Sequence, residues 1–198
     1  ISRITKEFYT KNEEYLNNEF IKGTPDLFKG KSINVAEVIR DAKSSYTIFT
    51  FNRSIHKKLN SDYYWQLHGY MWLTGATKAY VDYCLINSPY NLVEGELKRE
   101  SYNHLNGDTP TWIELQIIAN HVYDKKTFEE YIKMRGCYPT TENDKAIVYG
   151  FVEVPLNETY TAFEITRNNE DIERLKQRVI DCRKWIEDNL NSKYNAKN

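Results

Sequence analysis

A chain of 198 residues, 40% hydrophobic, 28% charged and of net charge −1, is long enough for one well-buried domain, and its average charge excludes a blanket polyanion binder. A local basic groove stays open to nucleic acid. No apolar run reaches the roughly 18 residues of a membrane span and no signal peptide is visible, so no membrane partner and a reducing, cytoplasmic compartment are expected.

Three scattered cysteines, Cys84, Cys137 and Cys182, make neither a disulfide framework nor a CxxC metal motif. The histidines His56, His68, His104 and His121 lack zinc-ligand spacing. The chain opens at Ile1, without a methionine, and is expected to be a fragment or a processed product.

In chain order, residues 1–8 are weakly periodic and Thr10-Lys11-Asn12 reads as a turn. Residues 15–21 lead into a strand carrying Asp26. Lys29-Gly30-Lys31-Ser32 reads as a hairpin-like turn into residues 33–45, the strongest strand signal of the chain. Residues 45–60 read as a connection. Ser61 or Asp62 suits the N-cap of a helix through Thr74, and Gly75 is placed to end it in a left-handed C-cap. A strand over residues 79–87 stops at Pro89, and helical patterns fill residues 92–104, 112–122 and 127–134. Residues 146–154 alternate as a strand, with residues 160–165 as its pairing partner. Residues 170–190 read as a long amphipathic helix and residues 191–198 as a frayed tail. Strands interspersed with helices predict a single mixed α/β (α+β) domain over residues 1–198.

The chemistry concentrates at Gly23-Thr24-Pro25-Asp26 and Asp41-Ala42-Lys43. On a strand, Asp41 and Lys43 point the same way and Ala42 the other. Magnesium takes hard oxygen ligands, typically one or two carboxylates plus water and substrate phosphate. Asp26, Asp41 and the carbonyl of Ala42 are such ligands, and Lys43 beside them would hold or deprotonate a water or neutralise transition-state charge. The bare pattern also fits Glu96-Leu97-Lys98 and Asp124-Lys125-Lys126, both in helix-like surroundings and read as solvated surface. Downstream, Gln66 and Tyr70 share a helical face with Tyr63 nearby, and their amide and hydroxyl suit phosphate or base edges. Read alone, Tyr63, Trp65, Tyr70 and Trp72 are core residues. Arg40, Arg53, Lys57 and Lys58 are candidate basic contacts.

Taken together, Pro25-Asp26, Asp41-Ala42-Lys43 and Gln66-Leu67-His68-Gly69-Tyr70 resemble the PD-(D/E)XK nuclease superfamily, in its branch with a downstream Q-x-x-x-Y motif. The wider spelling, with Asp41-Ala42-Lys43-Ser44-Ser45, Tyr64-Trp65-Gln66 and Tyr80-Val81-Asp82-Tyr83-Cys84-Leu85, is similar to phage-type exonucleases of the YqaJ-like viral recombinase and lambda exonuclease group. The likeness covers residues 17–89, and the later half is compatible with it.

The resemblance implies a restriction-endonuclease-like core, a mixed central sheet flanked by helices. It implies Asp26 and Asp41 as metal-binding carboxylates, Lys43 as the catalytic lysine, and Gln66, Tyr70 and Ser44 beside the DNA. It further implies hydrolysis of DNA phosphodiesters with Mg2+ or Mn2+ from duplex ends, in a bacterial or phage-infected cell. A single-strand annealing protein and a homo-oligomer are the partners expected besides DNA.

Two departures matter. The family's further glutamate, on a helix before the Pro-Asp motif, has only Glu7, Glu13, Glu14 and Glu19 as stand-ins here, each read as a surface charge. Three dispersed cysteines exclude the branch that carries an iron–sulfur cluster. The alternatives are a site-specific or structure-specific endonuclease of the same superfamily, and a nuclease-like module that binds nucleic acid without cutting.

Overall fold

In the computed structural model the N-terminal residues form helix α1 (Ser2–Thr5), strand β1 (Thr10–Lys11), a β2 (Leu16–Asn17)/β3 (Lys22–Gly23) hairpin, and strands β4 (Leu27–Gly30) and β5 (Ala36–Ser45). Helices α2 (Ile48–Ile55) and α3 (Ser61–Thr74), strand β6 (Lys78–Leu85), and helices α4 (Tyr90–Asn103), α5 (Thr111–Ala119), α6 (Lys125–Arg135) and α7 (Glu142–Gly150) follow. Strand β7 (Tyr160–Thr166) and helix α8 (Asn169–Ile186) complete the order. The structure describes residues 1–103 and 109–191. The expected helix end at His104, and the expected frayed tail beyond Asn191, lie outside the described residues. Among the described residues, five strands form one sheet in the order β1-β4-β5-β6-β7, and β2 pairs with β3 apart from it. The expected mixed sheet with flanking helices is therefore present.

The chain forms two compact units, Ile1–Ala42 with Lys58–Asp82 and Ala162–Asn198, and Lys43–Lys57 with Tyr83–Thr161. In the first, β4 runs antiparallel to β5, pairing Leu27 with Arg40 and Phe28 with Ile39, with a register shift at Lys29/Gly30. The expected strand start at Ile33 is corrected. Ile33–Val35 form a 3-10 turn, because Ile33 is buried completely while Asn34 and Val35 face solvent. The expected turn at Thr10-Lys11-Asn12 is also corrected: Thr10 and Lys11 pair with Phe28 and Leu27.

Helix α3 is capped by Asn60, whose side chain accepts from the Asp62 N–H, one residue ahead of the caps expected. It ends as expected at Gly75, whose φ of 79° is open to glycine at little cost. Leu67 and Met71 are fully buried. Tyr64 donates to Asp171 at 2.6 Å and His68 Nε2 accepts the Asn168 N–H at 3.3 Å, which fastens α3 to the start of α8. The Tyr64 hydrogen bond is the main cause that holds the Asp171 carboxyl below its usual range, with Arg174 adding to it.

The second unit is mainly helical, around Val93, Leu97, Leu115, Ile118, Val122, Phe128, Ile132 and Cys137. Cys137 is a free thiol whose pKa burial pushes up to about 11. Residues 142–150 are helix, which corrects the strand expected over 146–154. Thr141 and Asp144 form a reciprocal capping box at its start. Ile147, Val148 and Phe151 then reach the core at i, i+1 and i+4, a helical stripe and not the every-second-residue spacing of a strand. Phe151 stacks on Phe128 at 4.1 Å between ring centroids. β7 accordingly neighbours β6 rather than residues 146–154. Thr47 caps α2, a helix inside the segment expected as a connection. Asp124 is no bare surface acid, since it caps α6 by accepting from Thr127.

Candidate active site

Asp26 precedes β4 by one residue, so continuing the Leu27–Arg40 register sets it opposite Asp41. Its main chain is held from the β1 side: the Asn12 N–H donates to the Asp26 carbonyl at 2.8 Å and Asn12 Nδ2 to the Pro25 carbonyl at 2.9 Å. The Asp26 side chain turns towards β5, where its Oδ2 accepts the Ala42 N–H at 2.8 Å. The carboxylate itself is exposed, whereas Asp41 is 3% exposed. N–H and C=O of one strand residue face the same side, so the Ala42 carbonyl faces the side on which Asp26 lies. Two carboxylates and one carbonyl are hard oxygen donors of the kind and number a magnesium or manganese ion takes from protein. Among the described residues no group of three or more His, Cys, Asp or Glu side chains gathers for a metal. Three oxygen donors are too few to fill an octahedral shell, so an ion held by them would keep water and substrate oxygens.

Lys43 stands two residues beyond Asp41 on β5 and is half-buried, and Ser44, the next residue, is exposed. Strand alternation gives Lys43 the face of Asp41 and Ser44 the opposite one.

Arg40 faces away from Asp41 and is not the DNA contact expected. Its Nη1 donates to Asp82 at 2.6 Å, with both side chains almost wholly buried. Its guanidinium lies 4.4 Å from the Tyr9 ring centroid and 4.1 Å from that of Tyr80. Each tyrosine donates to an acid, Tyr9 to Glu7 at 2.6 Å and Tyr80 to Glu164 at 2.5 Å. The Glu164 bond, helped by burial, raises the Tyr80 hydroxyl to about 12. Glu7 is thus engaged by Tyr9 and, at 3.4 Å, by Lys29, and Glu13 pairs with Lys11. The clamp joins β5 to β6 by residues 42 apart in sequence, and nothing in either local stretch marks it. Asn12 was likewise invisible, as one polar residue in a polar stretch.

On α3, Gln66 Nε2 donates to the Tyr70 hydroxyl at 2.9 Å. Both line a depression with Ile21, Lys22, Asp62 and Trp65. Tyr70 lies against Gly23: a Cβ there would stand 2.4 Å from Tyr70 Cε1. Gly23 leads through Thr24 and Pro25 to Asp26, so the helix motif touches the segment that carries the first carboxylate.

No family model matches the chain, and no curated protein matches it with significance. Among solved structures, the chain is similar to a phage-related exonuclease from Haemophilus somnus 129PT, with a TM-score of 0.61 and 22% identity. The alignment covers 96% of this chain and 66% of that one, so the chain spans a little under two thirds of that protein's length. The fold is that of a phage-related exonuclease.

Proposed function

We propose that the protein is a metal-dependent DNA exonuclease that hydrolyses phosphodiester bonds from duplex ends, as in phage-type recombination or DNA processing. The observation that carries the reading is the bond from the Ala42 N–H to Asp26, which ties one carboxylate to the main chain between Asp41 and Lys43. The likeness of fold to a phage-related exonuclease supports it.

In this reading Asp26, Asp41 and the Ala42 carbonyl would hold one Mg2+ or Mn2+ ion. Such an ion, when bound, polarises the scissile phosphate and lowers the pKa of a water. Lys43 orients the attacking water or takes up charge on the phosphate oxygens. Arg40, the residue before Asp41 on β5, is held on the opposite face by Asp82. Gln66 and Tyr70 hold the DNA strand, whereas Ser44 lies on the face of β5 opposite Asp41 and Lys43. Water adds to phosphorus as one P–O ester bond breaks, leaving a phosphate and a hydroxyl.

The expected setting is the cytoplasm of a bacterial or phage-infected cell; among the described residues no helix is long and apolar enough to cross a membrane. A homo-oligomer and a single-strand annealing partner belong to the same reading. The test is a time course on linear duplex labelled at the 5′ or the 3′ end, beside closed circular duplex, with magnesium or chelator. Degradation of the linear form alone, only with metal, is expected. Equal cutting of the circle would favour the endonuclease, and no cutting of either would favour a binding module.

A further inference from the structure

Between Asp41 and Asp62 the sequence holds no acidic residue, while Lys43, Arg53, Lys57 and Lys58 all fall there. Acids otherwise number 28 in 198 residues, so the gap is a local basic stretch in a chain of balanced charge. Within it, α2 is sharply two-sided. Phe51 is buried at 3% exposure, whereas Phe49 is 75% exposed and Asn52, Arg53 and His56 face solvent too. Phe49, Arg53 and His56 are spaced i, i+4 and i+7, one stripe of a helix.

The turn that leads from Lys43 into this helix is held firmly. The Ile86 N–H donates to the Ser45 carbonyl at 3.0 Å. The Tyr46 carbonyl accepts from Ser88 Oγ at 3.2 Å and from the Tyr123 hydroxyl at 2.9 Å. Thr47 Oγ1 accepts the Thr50 N–H at 3.2 Å. A large aromatic ring is therefore presented to water on a fixed support, six residues after Lys43, beside a cation and in a stretch without acids.

We propose that the outer stripe of α2 is a binding surface for single-stranded DNA, with a base stacked on Phe49 and a backbone phosphate on Arg53. The proposal rests on the nuclease reading for its ligand, the single strand that digestion of a duplex end leaves. An exposed ring offers a face only to an unpaired base, since duplex bases are already stacked, and base–aromatic stacking tolerates any sequence. Arg53 adds a charge that neutralises phosphate and releases counterions. Lys57, also exposed, extends the cationic edge.

The test is the affinity of the full chain for a fluorescent twelve-residue oligo-dT, by anisotropy in chelator, which prevents cleavage. Phe49→Ala is expected to weaken binding at least about fivefold and Phe49→Trp to retain it. Arg53→Ala is expected to weaken binding and to lower the salt dependence by about 0.7 in log–log slope. Phe8, 80% exposed, is the control, and Phe8→Ala is expected to bind as wild type. Wild-type binding by Phe49→Ala would overturn the proposal, as would equal loss in Phe8→Ala. Cleavage of linear duplex in magnesium is read separately. Wild-type cleavage with unchanged binding in Phe49→Ala sinks this surface alone; absent cleavage with a clear Phe49 effect on binding sinks the nuclease reading alone.

Discussion

The Oδ2 atom of Asp26 accepts the main-chain N–H of Ala42 at 2.8 Å, one residue beyond Asp41. The bond makes one carboxylate a fixture of the strand that carries the other. It also separates two roles that substitution can pull apart. Asp26→Asn keeps an acceptor and loses the charge, while Asp26→Ala loses both. Cleavage is expected to fall at least about a hundredfold in each. Urea unfolding is expected to show a loss of about 1 kcal/mol for the alanine variant and little for the asparagine one. Equal stability of the two would deny the tether.

Arg40 and Asp82 form a buried pair whose partners depend on each other. Removing Arg40 alone strands a buried carboxylate, so Arg40→Met is expected to cost about 3–5 kcal/mol in urea unfolding. The double variant Arg40→Met/Asp82→Leu removes both charges and is expected to regain most of that loss. Additive losses in the double variant would show that the pair is not coupled.

Gly23 carries no side chain where Tyr70 approaches. Gly23→Ala would put a Cβ 2.4 Å from the ring, and the ring must move, taking its hydroxyl from Gln66. Affinity for DNA is expected to drop severalfold in this variant, matching Tyr70→Phe, with thermal stability nearly kept. A variant with wild-type affinity would detach the helix motif from DNA binding.

Asp171 ties α8 to α3 through Tyr64, and that hydrogen bond is first among the causes that depress its pKa in the folded chain. A depressed carboxylate stabilises the fold above the ordinary aspartate pKa of about 3.9, and the contribution is lost as pH falls through the lower, folded value. Thermal melts between pH 7 and pH 3 are expected to decline more steeply for wild type than for Asp171→Asn at the acid end. Parallel curves would remove this contact from the acid response.

What could be read from the sequence was what neighbouring residues determine. β5 was legible at Asp41 because an apolar run led into it, and the end of α3 was legible at Gly75 because a helix stop needs only one residue of the right kind. Helix α7 was not, because Ala146, Val148, Val152 and Val154 fall at the even spacing of a strand, whereas Ile147, Val148 and Phe151 are the residues that reach the core. Arg40 reads from the sequence as a candidate basic contact because its counter-charge, Asp82, lies 42 residues away. Asn12, which holds Pro25 and Asp26 by their main chain, has no local signature at all. The carboxylates of the candidate site could thus be named early, while the residues that hold them still required the fold.

The most direct measurement compares wild type, Asp41→Ala and Lys43→Ala on linear duplex DNA with magnesium, beside circular dichroism of each protein. The account predicts a folded protein in every case, metal-dependent degradation by wild type, and none detectable in either variant. Degradation at the wild-type rate by either folded variant would contradict it.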